Sequence, residues 1–382
     1  MDLLHTLLSF FTSLTTAALI AFYTIVGGLF ASQQKITILP PVPQEITRPT
    51  QATTSSESII NIKSPAPKPK PAQPSAPVAT LISSTTVVAS TTLPPPSPAI
   101  SAEKLNTQTR GALVNILCAV GSGSLRPISG SGVFVDTRGV ILTNAHIGQY
   151  FLLKDYPSKD NVECTIRTGS PASPRYTATL LFLPPLWVSG NSTQLIAEQG
   201  KGTGENDYAF LLVTSAIGSE PLPAAFPALP MASAEPDLGA AMFLAAYPAG
   251  FLGGSSIQKN LFTSSAYATI KELFTFSDDR TIDLVSVGGT VVSQGGSSGG
   301  AMVRAYDGKL QGIIATATAA DSTAQRDLRA ITLAHINRSL AAQGQGSLSA
   351  FLSQDMLAAA AHFASSTALV EKELLVKAIE HR

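Results

Sequence analysis

Gly130-Ser-Gly-Val-Phe-Val-Asp-Thr-Arg-Gly-Val-Ile-Leu-Thr-Asn-Ala-His146 is the stretch on which the reading of this sequence turns. Two short apolar, β-branched runs flank residues 136–139, whose composition favours a tight turn, so the pattern predicts a β-hairpin. His146 stands just past the second strand. Of the five histidines, His5 precedes a long apolar run, while His335, His362 and His381 lie in helical or terminal sequence. A solitary histidine is ordinarily structural or solvated. The Thr143-Asn-Ala-His146 context singles this one out.

The same texture extends outward from the hairpin. Short apolar runs separated by Gly, Pro, Ser and Asp fall at 113–118, 132–136, 139–143, 162–167, 176–183, 207–213, 241–246, 265–270, 282–287, 301–304 and 310–316. Short strands at this spacing predict an all-β barrel or sandwich. Residues 326–340 and 347–382 carry a helical apolar period instead. No internal repeat is present.

Hydrolysis by a nucleophilic hydroxyl needs a base to take its proton, an acid to orient the base, and donors for the oxyanion. Two further segments supply these after His146. Glu205-Asn-Asp207-Tyr-Ala-Phe-Leu-Leu-Val places an acid at the opening of an apolar strand. An aspartate there is by itself an ordinary turn residue. Asp155 and Asp160 are nearer to His146 in sequence but sit in a polar loop with no strand behind it. Gln294-Gly-Gly-Ser-Ser298-Gly-Gly-Ala-Met-Val lacks the lysine of a phosphate-binding loop. Its small residues let the chain turn sharply, so that the Ser298 hydroxyl projects and the amides of Gly296 and Ser298 converge.

Thr143-Asn-Ala-His146, Asp207-Tyr-Ala-Phe-Leu and Gly296-Ser-Ser298-Gly-Gly together resemble the three signature segments of trypsin-like serine proteases, in the flavour of the bacterial high-temperature-requirement (Deg-type) branch. The match covers about residues 107–343. It implies two six-stranded barrels with the active site in the cleft between them, His146 and Asp207 in the first and Ser298 in the second. Ser298 would be the nucleophile, His146 the general base and then acid, and Asp207 the group that holds the imidazole tautomer. The amides of Gly296 and Ser298 would form the oxyanion hole. Tyr247-Pro-Ala-Gly250 resembles the loop that opens the second barrel in such enzymes.

Three departures from the family pattern matter. Ser297 precedes the nucleophile where trypsin itself has an aspartate that pairs with a freed N-terminus, so activation by N-terminal cleavage is not expected. Ala301 replaces the usual proline. Only about 40 residues follow Leu340, too few for the PDZ domain usual in the Deg-type branch. By the same resemblance the specificity pocket falls near Val292 at its base and near Ala315 and Ala317 on its wall. None is acidic, which predicts small to medium aliphatic residues before the scissile bond with broad tolerance, since a methylene discriminates by only ~1–3 kcal/mol.

Cys118 and Cys164 are the only cysteines. In the family fold their strands flank the His146 hairpin, which allows either a bridge or two buried thiols acting as small hydrophobes. A bridge closing a loop of about 45 residues would stabilise the fold by about 4 kcal/mol in the loop-entropy description.

The N-terminal third reads differently. Residues 7–32 hold no charged side chain and are long enough to cross a bilayer as a helix. The missing basic n-region and the overlong apolar run favour an uncleaved anchor over a cleaved signal peptide. Residues 36–105 contain 14 prolines and 20 serines or threonines, a composition that cannot pack a core and reads as an extended linker. Lys35 and Arg48 after the anchor lean towards a cytoplasmic linker. A disulfide and a Pro/Ser/Thr stalk lean the other way, and an extracytoplasmic protease domain is expected.

The expected organisation is therefore an anchor over 1–35, a disordered linker over 36–106, a double-barrel all-β protease domain over 107–343, and a helical tail over 344–382. That tail is read as packing on the barrel or serving a homo-oligomer contact. The 25 basic and 25 acidic residues balance, and the charged fraction of 13% is about half that of ordinary soluble domains. This argues against nucleic-acid binding. Two cysteines exclude a four-cysteine zinc site. Neither metal nor organic cofactor is expected, because the side chains and backbone carry the chemistry. The expected activity is that of a membrane-tethered serine endopeptidase acting on protein or peptide substrates, with a quality-control or processing role implied by the resemblance. A catalytically inactive protease-fold scaffold is the alternative.

Overall fold

A computed structural model describes residues 99–196, 202–277, 280–318, 320 and 322–381. The expected anchor and nearly all of the linker lie outside the described residues. No helix among the described residues is long and apolar enough to cross a membrane. The first helix among the described residues, α1 (Ala102–Ala112), begins within the stretch assigned to the linker. Ser101 caps it by accepting from the amide of Lys104, and Leu105, Thr109 and Ala112 form its buried stripe.

The first sheet is a closed barrel built from β1 (Leu113–Val120), β2 (Ile128–Asp136), β3 (Val140–Thr143), β4 (Val162–Thr168), β5 (Ser173–Phe182) and β6 (Ala209–Ala216), in the order β1-β2-β3-β6-β5-β4. The expected hairpin is β2–β3, in antiparallel register with Val133 opposite Leu142 and Phe134 opposite Ile141. Asp136 closes its turn by accepting the amide of Arg138 on its carboxylate and that of Gly139 on its carbonyl. Val133, Phe134, Val140, Ile141 and Leu142 are all buried, and each such side chain contributes ~1.5–3 kcal/mol on leaving water. Cys118 and Cys164 face each other across the β1–β4 pairing and are joined by a disulfide.

The second sheet differs from the expected six-stranded barrel. It holds β7 (Ala241–Ala246), β8 (Ser264–Thr269), β9 (Glu272–Phe274), β10 (Leu284–Gly288), β11 (Ala301–Arg304), β12 (Leu310–Ala317) and β13 (Leu328–Thr332). Their order is β8-β7-β11-β12-β13-β10-β9, seven strands that do not close into a ring. One edge is the three-residue β9, too short to template a further pairing, and the other is the largely solvent-facing β8. Met242, Leu244, Val285, Val287, Met302 and Ile314 form the core against this sheet.

After the short helices α2 (Ala145–Gly148), α3 (Pro185–Asn191) and α4 (Gly254–Lys259), residues 326–340, expected to be one helix, divide into β13 and then α5 (Leu333–Ala342). Leu328 and Ile331 are buried in the middle of the sheet, while Thr332 caps α5 by accepting from the amide of His335. The expected C-terminal helical segment is three helices, α6 (Leu348–Ser353), α7 (Met356–Ser365) and α8 (Thr367–Glu380). They pack on the first barrel. Phe351 of α6 meets Phe210 at 4.9 Å between ring centres, and Phe363 of α7 meets Phe182 at 6.3 Å.

Candidate active site

His146 and Asp207 are 61 residues apart and are brought together by strand register. β3 pairs antiparallel with β6, with Thr143 opposite Ala209. The chain leaving β3 therefore emerges beside the chain entering β6. Asn144 leads into a one-turn helix, α2 (Ala145–Gly148), that carries His146, and Asp207 stands two residues before β6.

Asp207 holds the histidine at two points. Its Oδ2 lies 2.9 Å from His146 Nδ1, and its Oδ1 accepts the His146 main-chain amide at 3.0 Å. Asn144 Nδ2 donates to the Asp207 carbonyl at 2.7 Å, which fixes the backbone that carries the carboxylate. Asp207 is buried, whereas about a third of the His146 side chain is exposed. Burial of the imidazole favours its neutral form, but the charge of Asp207 and its hydrogen bond outweigh that, and the His146 pKa is raised above its ordinary value. An ionised carboxylate only accepts hydrogen bonds, so the proton on the neutral ring sits on Nδ1 and leaves Nε2 as the basic nitrogen.

Ser298 lies three residues before β11, on the loop that enters the second sheet. It is half-buried, and its hydroxyl donates to the Ala315 carbonyl at 3.4 Å rather than to His146. Gly296 and Gly299 adopt φ of 88° and 83°, a region closed to most side chains. A Cβ on Gly299 would also overlap the Ser131 carbonyl. The turn is held by Gly299 N donating to Ile314 O at 2.7 Å and Gly300 N donating to Ser297 O at 2.9 Å. The amides of Gly296 and Ser298 donate to no protein acceptor among the described residues.

One residue that sequence reasoning missed connects the two sheets. Ser131, on β2, donates its amide to the Ser298 carbonyl at 2.7 Å. Its hydroxyl donates to Gly296 O at 2.8 Å and accepts from the amide of Tyr247 at 2.9 Å. Its own carbonyl accepts from Thr143 Oγ1 at 2.7 Å. The Gly130-Ser-Gly run carried no local signal for this, because every partner is distant in sequence except Thr143.

The residues assigned to the specificity pocket are less uniform. Val292 is buried in the core of the second sheet and Ala315 is buried on β12 beside Ser298. Ala317 ends β12, and its side chain lies outside the described residues.

A second histidine–aspartate pair serves another purpose. His335 Nδ1 lies 2.8 Å from Asp283 Oδ1, which also accepts from Arg338 at 2.8 Å. Burial favours the neutral form of Asp283, but hydrogen bonds from His335, Arg338 and the amide of Phe276 hold its pKa down at about 2. This cluster joins the chain entering β10 to α5. Among the described residues no group of three or more His, Cys, Asp or Glu is arranged to hold a metal ion.

Residues 130–313 match the model of the trypsin-like peptidase domain family. No curated protein matches the chain. Among solved structures the chain is similar to the active form of the Rv3671c protease from M. tuberculosis, at 18% identity over 64% of this chain and 87% of that one, with a TM-score of 0.39. It is similar to the serine endoprotease from Yersinia pestis at 17% identity over 63% of this chain and 65% of that one, TM-score 0.39. A third similarity is to Deg5, at 14% identity over 63% and 94% of the two chains, TM-score 0.40.

Proposed function

We propose that this chain, whose residues 130–313 match the trypsin-like peptidase domain family, is a serine endopeptidase that cleaves peptide bonds with Ser298 as nucleophile, His146 as general base and Asp207 as the group that orients it. The observation that carries this reading is the two-point grip of Asp207 on His146, at Nδ1 and at the main-chain amide. That grip leaves Nε2 free to take a proton.

The steps follow from these atoms. The Ser298 hydroxyl exchanges its bond to Ala315 O for one to His146 Nε2. Its oxygen then attacks the scissile carbonyl carbon while its proton passes to Nε2. The carbonyl oxygen gains the negative charge and is met by the amides of Gly296 and Ser298. A donor so placed is worth about 3 kcal/mol of transition-state stabilisation. The imidazolium, paired with Asp207, gives its proton to the leaving amine as the C–N bond breaks. Water, deprotonated by the same nitrogen, then releases the acyl group from Ser298.

The absence of acidic side chains at Val292, Ala315 and Ala317 supports a preference for small to medium aliphatic residues before the scissile bond. The uncharged run at 7–32 supports membrane tethering through an N-terminal helix. The Cys118–Cys164 disulfide supports an extracytoplasmic domain, where a processing or quality-control role on proteins fits.

Digestion of an unbiased peptide library by the purified chain, followed by mass spectrometry of the products, tests this. Cleavage after Val, Ala or Leu that disappears in Ser298→Ala is expected. Efficient cleavage after Lys or Arg with none after Val or Ala would overturn the specificity. Undiminished cleavage by Ser298→Ala would overturn the assignment of the nucleophile.

A further inference from the structure

Asp207 is bracketed by two residues that both turn towards the same hydroxyl. Ser339, on α5, donates from Oγ to Asn206 Oδ1 at 2.6 Å and accepts from the Tyr208 hydroxyl at 3.0 Å. Gln343, the residue that caps the C-terminal end of α5, donates from Nε2 to Ser339 Oγ at 2.9 Å and to the Tyr208 hydroxyl at 3.3 Å. The Ser339 hydroxyl has one proton and two lone pairs, and all three are engaged.

The strain and burial around this clamp show what it opposes. Asn206 holds φ of 58°, a left-handed conformation that costs about 1 kcal/mol and persists only where the surroundings enforce it. Tyr208 has no exposed surface and Ser339 is 8% exposed, so the hydrogen bonds are not shared with bulk water. Burial holds the Tyr208 phenol well above its usual range, which keeps it a donor. Helix α5 continues directly from β13 of the second sheet, whereas Asp207 stands two residues before β6 of the first barrel. The clamp therefore ties the loop bearing the acid to an element of the other sheet.

We propose that Ser339 is a positioning residue, which through Asn206 and Tyr208 holds the Asp207 carboxylate against His146. This rests on the assignment of Asp207 as the orienting acid. Loss of the clamp frees the 204–208 loop to relax from its left-handed turn, and the carboxylate shifts relative to the imidazole. Misplacement of a catalytic group by about 1 Å costs about 100-fold in rate. Substrate contacts are untouched, so the loss falls on kcat rather than KM.

The test uses Ser339→Ala together with Asn206→Gly, which tolerates the positive φ and removes only the side-chain link. Both are compared with Asp207→Asn and with the double variants in the Asp207→Asn background, on the full chain. Each single variant is expected to lower kcat about 10- to 100-fold with KM within about 2-fold. The acid limb of the kcat/KM profile should move to lower pH, because His146 loses part of the carboxylate that raises its pKa. In the Asp207→Asn background neither variant should reduce the rate further. A slow Asp207→Asn beside a fully active Asn206→Gly would overturn the clamp alone. So would losses that add in the double variants. An Asp207→Asn variant as fast as the parent would overturn the assignment of the acid, and the clamp with it.

Discussion

The Ser131 hydroxyl, on a strand of the first barrel, donates to the carbonyl of Gly296 in the loop that carries Ser298 at 2.8 Å while accepting from the amide of Tyr247, just past β7 of the second sheet. The peptide that follows Gly296 leads to the Ser298 amide, so this hydroxyl braces the backbone proposed to meet the oxyanion. Ser131→Ala retains the main-chain bond from Ser131 to Ser298 but strips a partly buried carbonyl and a buried amide of a partner. The expected cost is ~1–3 kcal/mol in urea unfolding, with kcat reduced more than KM is changed. Unaltered unfolding and unaltered kcat would show that the two sheets are aligned without it.

The raised pKa of His146 makes a directional statement about pH. With the neutral His146 imidazole as the proposed base, kcat/KM should rise with pH along a limb centred above the ordinary histidine value of about 6.5. Asp207→Asn should move that limb to lower pH as it lowers the rate. For stability the sign is opposite. A histidine whose folded pKa is raised stabilises the fold fully below the unfolded value, and that contribution fades as pH rises through the folded one. A limb below pH 6 in the parent chain would contradict the Asp207–His146 pairing.

Glu371, on α8, is 1% exposed, and neither of its carboxyl oxygens has a hydrogen-bond partner among the described residues. Burial pushes its pKa up to about 9 from 4.5. The folded chain therefore holds a proton that the unfolded chain releases between those values, so folding stability falls as pH rises through that window. Glu371→Gln should match the parent at pH 4 and melt at a higher temperature at pH 9. A variant that melts lower than the parent at pH 9 would mean that the carboxylate is stabilised by the fold.

The strands were legible, and the three proposed site segments stood out, because their signals are local. A strand bounded by turn residues and a glycine pair beside a serine each declare themselves within ten residues. The misread elements are those where local patterns serve two structures. Leu328 and Ile331 are three residues apart, and Leu333, Ile336 and Leu340 follow at intervals of three and four, yet the first two lie in a strand and the last three in the helix that Thr332 caps. β9, only three residues long, carries too little sequence to show a period. The unclosed second sheet was hidden for a related reason, since closure depends on pairing between distant edges. Ser131 and Ser339 were invisible in the same way. A serine becomes informative only when folding places its hydroxyl between groups more than a hundred residues distant.

The central claim is that Ser298 is a nucleophile activated by the His146–Asp207 pair. Labelling of the purified chain with a fluorophosphonate probe, with the adduct located by peptide mass spectrometry, tests it most directly. A single adduct on Ser298 is predicted, absent in Ser298→Ala and formed far more slowly in His146→Ala. No adduct on the parent chain, or labelling unchanged in Ser298→Ala, would contradict the account and leave a protease fold that binds without cleaving.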